Sequence, residues 1–275
     1  MANSTFRPWL ERWKLLPDGA PLITHTSQLL PVITVDGNQK AMLKITADPH
    51  EQTGNALMVW WEGNGAARVI AHDNEAILLE RATGAGSLSA LSRSGEDETA
   101  CRILCQTACY LHASQKSALP QLISLQEWFG ALKPAAKEHD GFLVRSLVIA
   151  QELLSSEQDI VVLHGDLHHE NVLDFGDCDW RAIDPKGLIG ERGFEYANIF
   201  TNPDLSNPVP QVACVPEIFY QRLESVSRLA SLDKTRLLMW IVAWCGLSTA
   251  WSLEDNKAQP VTFEVAKLAL AELDR

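Results

Sequence analysis

The sequence predicts an α+β protein, with a β-sheet in its N-terminal part and a larger, mostly helical C-terminal part. Three observations predict it. Short apolar runs bounded by turn residues crowd the chain before residue 82. From residue 96 onward, apolar residues recur at helical spacing. Within that helical part, two polar segments hang on the ends of short buried strands: His164-Gly165-Asp166-Leu167-His168-His169-Glu170-Asn171 and Ile183-Asp184-Pro185. A chain of 275 residues suits one long domain or two lobes around a cleft.

Thr5 to Leu16 reads as an amphipathic helix, because Phe6, Trp9, Leu10 and Trp13 share one face, and Pro17-Asp18-Gly19 ends it. Leu29 to Val35 and Ala41 to Ile45 read as strands joined by a turn at Asp36-Gly37-Asn38. The second strand sets Lys44 among apolar neighbours, where an ammonium group needs a partner. His50 to Trp61 is a helical segment with Glu51 in its first turn, and Gly54 weakens it by up to about 1 kcal/mol relative to alanine. Ala76 to Arg81 reads as a buried strand, and Ala82 to Leu88 as a flexible connection.

Helices follow over Glu96 to His112, Leu122 to Leu132 and Gly141 to Ser155, with Pro120 and Pro134 separating the pieces. Cys101, Cys105 and Cys109 recur every fourth residue on the first of these and lack the paired spacing of zinc folds, so they read as core thiols. Asn202 to Pro210 is a loop. The uncharged stretch Leu237 to Leu253 approaches membrane-spanning length, but its Cys, Gly, Ser, Thr and Trp residues favour a buried helix. Trp240, Trp244 and Trp251 fall on nearly one face of it, with Glu254-Asp255 at its end.

Ile160-Val161-Val162-Leu163 delivers the segment beginning at His164, and Trp180-Arg181-Ala182-Ile183 delivers Asp184. Phosphoryl transfer from a nucleotide needs an aspartate beside the acceptor hydroxyl, and an asparagine and a second aspartate to hold the magnesium ion. Asp166 fits the first role, and Asn171 and Asp184 the second. Four residues separate Asp166 from Asn171, as in the protein-kinase loop H-R-D-x-x-x-x-N, with Gly165 in place of arginine. A hydrolase metal cluster is the competing reading of so histidine-rich a segment.

HGDLHHEN followed by IDPKGLIGERGFEYANIF resembles the aminoglycoside phosphotransferases, in particular the branch of streptomycin 6-phosphotransferases and hydroxyurea phosphotransferases. The resemblance implies a two-lobed, protein-kinase-like fold, with residues 1–82 as the nucleotide-gripping lobe and 83–275 as the catalytic and acceptor-binding lobe. It implies that Lys44 reaches the nucleotide phosphates and pairs with Glu51, an assignment supported by Trp60 and Gly63-Asn64-Gly65-Ala66 on the family's W-x-x-G-x-G-A pattern. It places adenine against backbone groups from Glu80 to Ala82. The phosphate-covering loop would be Thr24-His25-Thr26-Ser27, with Ser27 as a phosphate contact, although it lacks glycine. Glu195 is expected to anchor the following helix to the catalytic loop, and Glu254 and Asp255 to bind cationic groups of the acceptor.

The implied donor is ATP, with GTP an open alternative, and the implied metal is Mg2+. By the same resemblance the acceptor is a hydroxyl of a streptomycin-like aminoglycoside. Hydroxyurea or another small metabolite is the nearest alternative, and a non-catalytic nucleotide-binding protein a remoter one. The net charge of -12 disfavours nucleic acid and favours a cationic small molecule. The first residues lack a basic region followed by an apolar core, so the expected compartment is the cytoplasm, with no membrane partner.

Overall fold

The computed structural model describes residues 2–114, 118–177, 179–255 and 260–275. The N-terminal part comprises α1 (Ala2–Arg12), β1 (Leu15–Pro17), β2 (Leu22–Ile23), β3 (Gln28–Thr34), β4 (Lys40–Ile45), α2 (Pro49–Trp61), β5 (Val69–His72) and β6 (Ala76–Glu80). Its sheet is antiparallel in the order β1-β3-β4-β6-β5, with β2 also paired to β3. Alternation sorts the side chains of the central strand β6. Ala76 and Leu78 pack with Phe6, Leu30 and Val32 in a cluster under α1, while Ile77 and Leu79 join α2 and the main core.

The first helix is shorter than its periodicity suggests. It stops at Arg12, Lys14 turns the chain at a φ of 50°, and Leu15–Pro17 becomes an edge strand with Leu15 opposite Thr34. Leu15 is buried and Leu16 exposed, an alternation that strand pairing satisfies and a continued helix would not. Proline is tolerated there because the strand lies at the sheet edge.

The C-terminal part continues with α3 (Leu88–Arg93), α4 (Asp97–His112), β7 (Ile123–Ser124), α5 (Leu125–Trp128), α6 (Leu132–Glu138), α7 (Phe142–Ser155), β8 (Ile160–Leu163), β9 (Val172–Asp174), β10 (Trp180–Ala182) and β11 (Leu188–Glu191). It ends with α8 (Gly193–Ala197), α9 (Pro216–Leu229), α10 (Lys234–Glu254) and α11 (Pro260–Leu273). The helix expected over Leu122 to Leu132 is broken instead. Ile123 pairs with Leu188 in a parallel bridge, and the Ser124 hydroxyl caps a new helix by accepting from the Glu127 N–H at 3.2 Å. Pro134 lies in the first turn of α6, where its missing N–H costs nothing.

Helix α10 is long and apolar enough to cross a membrane, yet it is the hub of the helical core, packed by α7, α8 and α11. Trp240 and Trp244 are buried on it, their indole N–H groups donating to Glu191 and Thr201. Cys101 and Cys105 are buried core thiols on α4, and burial raises both, Cys105 to about 12, whereas Cys109, expected to join them, is exposed. Two joints tie the sheet to the β9–β10 hairpin. Gly65 and Ala67 exchange hydrogen bonds with Ala182 of β10, and the connection after β6 is pinned where the Gly84 and Gly86 N–H groups donate to Asp174. A Cβ on Gly84 would lie 2.0 Å from the Asp174 carboxyl carbon, so glycine there serves close approach rather than looseness.

Candidate active site

A cavity of about 480 Å³ opens between the N-terminal sheet and the β9–β10 hairpin. Leu29 and Met42 from the sheet, and Leu173, Phe175 and Ile183 from the hairpin and its exit, make most of it apolar. One end is charged, with Ser27, Lys44, Glu51, Asn171 and Asp184, and the edge at the end of β6 is formed by Glu80, Arg81 and Ala82. An apolar slot with convergent polar groups at one end suits a planar base with a charged tail. The Ala82 N–H has no hydrogen bond among the described residues, whereas the Glu80 N–H donates to the Arg68 carbonyl and the Glu80 carboxylate is held by Arg68 and Arg181.

Four charged side chains close into a ring at the polar end. Lys44 reaches Glu51 Oε2 and Asp184 Oδ1. Lys186 Nζ lies 3.1 Å from Glu51 Oε1 and 3.4 Å from Asp184 Oδ2, so each carboxylate gives one oxygen to each lysine. Helix α2 presents Glu51 because Asp48 caps it, accepting from the His50 and Glu51 N–H groups at 2.9 and 3.1 Å, with Pro49 opening the first turn. The Ser27 hydroxyl donates to Glu51 Oε2 at 3.4 Å, while its N–H is held by Thr24 Oγ1 at 3.0 Å. Burial by itself would raise the Asp184 carboxyl, but the Lys44 and Lys186 charges and the Lys44 hydrogen bond hold it well below the usual carboxylate range.

The loop after β8 is braced from three sides. Glu195, fully buried on α8, accepts the His164 N–H at 2.6 Å and the Gly165 N–H at 2.9 Å. Burial would raise the Glu195 carboxyl, but hydrogen bonding and charge from His112, together with His164 and the Gly165 N–H, lower it below the usual range. His164 is buried, and its pKa is lowered mainly by that burial. Its Nε2–H donates to the Ile183 carbonyl at 2.8 Å while Nδ1 accepts the Asp166 N–H at 3.2 Å, an arrangement only the neutral ring can make. The Lys186 N–H donates to the His164 carbonyl at 2.7 Å. His164 thereby ties down both flanks of Asp184, which sits in the left-handed region at a φ of 61°.

Asp166 is held by two amides. Asn171 Nδ2 donates to Asp166 Oδ2 at 3.2 Å and to the Asp166 carbonyl at 2.8 Å, and Asn198 Nδ2 donates to Oδ1 at 2.9 Å. His168 Nε2 lies 3.8 Å from the same Oδ1. With its nitrogen turned to Asp166, Asn171 has its amide oxygen left for a cation, and Asp184 adds a carboxylate on which ammonium groups now stand. Such hard oxygen donors fit a magnesium-like ion. The histidines do not make a transition-metal cluster: His164 braces the loop, and His169 is buried, its pKa held well below the ordinary value by burial and by the charges of Arg222, His168 and Arg93. Among the described residues, no three His, Cys, Asp or Glu groups converge to hold a metal.

Of the residues singled out from sequence, Ser27, Lys44, Glu51, Glu80, Ala82, Asn171 and Asp184 line one cavity, and Asp166 lies beside Asn171 just outside it. Glu254 and Asp255 do not line it; they are exposed at the C-terminal end of α10. The ring of Trp251, one turn earlier, stacks edge-on with Trp128 at 5.2 Å, and Trp128 meets His50 of α2 at 6.3 Å. Sequence reasoning missed Lys186 and Asn198. Their signals were present, a lysine two residues past Asp184 and an amide one helical turn after Glu195.

Residues 12–256 match the family model described as aminoglycoside/hydroxyurea antibiotic resistance kinase. The chain is 51% identical over 247 residues to a streptomycin 3''-kinase of Klebsiella pneumoniae, covering 90% of this chain and 92% of that protein. It is 31% identical over 262 residues to a streptomycin 6-kinase of Streptomyces griseus, covering 90% and 81% of the two chains. Among solved structures, it superposes on an amicoumacin kinase in complex with AMP-PNP, Ca2+ and amicoumacin with a TM-score of 0.63 at 14% identity, covering 98% of this chain and 93% of that one.

Proposed function

The chain belongs to the aminoglycoside/hydroxyurea antibiotic resistance kinases, and from that premise we propose that it transfers the γ-phosphate of ATP to the 3''-hydroxyl of streptomycin in the cytoplasm. It is a phosphotransferase acting on an alcohol group and uses a nucleotide and a divalent metal. The metal is Mg2+, held by Asn171 and Asp184, and when bound it neutralises charge on the phosphates and orients them. The two lobes, 1–82 and 83–275, meet at the end of β6.

Each residue has a chemical task. Lys44, oriented by Glu51, binds the phosphates, and the Ser27 hydroxyl lies within reach of them. Backbone groups between Glu80 and Ala82, with the Ala82 N–H as donor, take the base in the apolar slot. Asp166 Oδ1 and Oδ2, fixed by Asn198 and Asn171, orient the acceptor hydroxyl and take its proton as the oxygen attacks phosphorus. Glu254 and Asp255, exposed at the end of α10 beside the Trp251–Trp128–His50 row, receive the guanidinium groups of streptomycin.

The observation that carries the chemistry is Asp166 held by two amides beside the Lys44–Asp184 pair. The acceptor rests on the 51% identity to the streptomycin 3''-kinase. Transfer to the 6-hydroxyl is the second reading, favoured by the 31% identity to a streptomycin 6-kinase. Magnesium-dependent ADP release from ATP, with and without streptomycin, tests the reaction, and fragment masses of the product locate the phosphate. Phosphate on the 3'' position is expected. Streptomycin-independent ADP release alone, or a product phosphorylated elsewhere, would replace the acceptor assignment.

A further inference from the structure

The ring at the polar end of the cavity holds two lysines where binding the phosphates and pairing with Glu51 needs one. Lys44 rises from the middle of β4 with only 8% of its side chain exposed, and Lys186 follows the Asp184-Pro185 turn with 20% exposed. Their positions differ along the path of the phosphates. Lys44 lines the cavity with Asn171 and Asp184, whereas Lys186, like Asp166, does not line it. The Lys186 N–H donates to the His164 carbonyl, and a Cβ on Gly165 would lie 3.3 Å from the Lys186 Cβ, so the residue flanks the backbone that carries Asp166.

A cation on Asp184 cannot share both carboxylate oxygens with two ammonium groups. Lys186 holds Asp184 by the longer contact, 3.4 Å, and is the more exposed of the two, so it is the one displaced. Released from Asp184, its ammonium is still carried by backbone that lies against Gly165, the residue next to Asp166.

We propose that Lys186 is a catalytic lysine that leaves Asp184 for the γ-phosphate oxygens and neutralises the charge on the phosphoryl group in flight. This rests on the phosphotransferase reading above. The acceptor oxygen forms its bond to the γ-phosphorus and gives its proton to Asp166. The bond from phosphorus to the bridging oxygen breaks, and its electron pair leaves with the nucleoside diphosphate. Lys186 forms no covalent bond; it supplies a fixed positive charge where oxygens carry the most negative charge.

The test compares Mg2+-ADP with Mg2+-AMP-PNP binding by calorimetry in the wild-type protein and in Lys186→Met, Lys186→Gln and Lys186→Arg, alongside kcat with streptomycin. A contact to the γ-phosphate weakens AMP-PNP about tenfold in the Met and Gln variants and leaves ADP within about twofold, with Arg recovering part of the loss. The kcat of the uncharged variants falls on the order of 100-fold. Equal losses for the two nucleotides would make Lys186 a partner of Glu51 and Asp184 only, and no loss for either would remove it from the phosphate site; both overturn the proposal. If the wild-type protein fails to phosphorylate streptomycin, the acceptor reading falls, while the ADP against AMP-PNP comparison still decides the role of Lys186.

Discussion

Gly54 of α2 lies against the carbonyl oxygen of Pro185 so closely that an added Cβ would stand 1.9 Å from that oxygen. The contact joins the helix that presents Glu51 to the turn that presents Asp184. By helix propensity alone, Gly54→Ala would stabilise α2 by up to about 1 kcal/mol. Because the clash is with backbone, the substitution must instead push the helix off the turn and open the Lys44–Glu51–Lys186–Asp184 ring. A lower melting temperature and a kcat reduced about tenfold or more are expected; a raised melting temperature with unchanged kcat would show that the two elements separate freely.

Gly54 also marks where local sequence reading stops. Its cost to the helix was legible, but its purpose was not, because the atom it makes room for is 131 positions away in the chain by residue number. That the loop from His164 and the Asp184 turn come together was legible because their spacing is tied to chemistry, and β4 and β6 because they are short apolar runs bounded by turn residues. Leu15-Leu16 and Ile123-Ser124 were misjudged as helical, since both are strands only by virtue of partners elsewhere, Thr34 and Leu188 among them. Asn198 and Lys186 escaped for the same reason: what each touches depends on how α8 and the Asp184 turn fold back onto the loop.

Asp166→Asn keeps the shape of the side chain and removes its basicity. Turnover is expected to fall by about 10²- to 10⁴-fold while the affinity for Mg2+-ADP stays within a few-fold, because Asp166 does not line the cavity proposed to take the nucleotide. Asp184→Ala should lose both, since the carboxylate lines the cavity and offers the metal its only carboxylate ligand among the residues assigned to it. Steady-state kinetics and calorimetry on the two variants separate these outcomes, and an Asp166→Asn enzyme with near-normal kcat would assign the proton to another group.

Arg222 of α9 is fully buried and binds both oxygens of Asp97, at 2.9 and 2.7 Å, as well as the Ile199 and Asn202 carbonyls at 2.8 and 2.6 Å. The segment it holds includes Asn198, which positions Asp166. Removing one partner of a buried pair leaves the other charge without compensation, so Arg222→Met should cost about 3 to 5 kcal/mol by denaturant unfolding. Asp97→Asn combined with Arg222→Met should recover part of that loss. A single-variant cost below about 1 kcal/mol would mean that water reaches Asp97 in the native state.

His164 and His169 are both buried, and burial lowers the pKa of each in the folded protein. In the unfolded chain each titrates near about 6.5. Above that pH neither state is protonated and stability is at its full value. As the pH falls below it, the unfolded chain takes up protons that the native rings refuse, so stability declines toward the folded pKa values by up to about 1.4 kcal/mol per pH unit for each histidine. Neither ring nitrogen of His169 has a hydrogen-bond partner among the described residues, so His169→Leu removes a titrating group without breaking a bond. Denaturant unfolding between pH 7 and pH 5 should therefore give a shallower decline for His169→Leu than for the wild-type protein, whereas parallel curves would show that His169 takes up its proton in the folded state as readily as in the unfolded one.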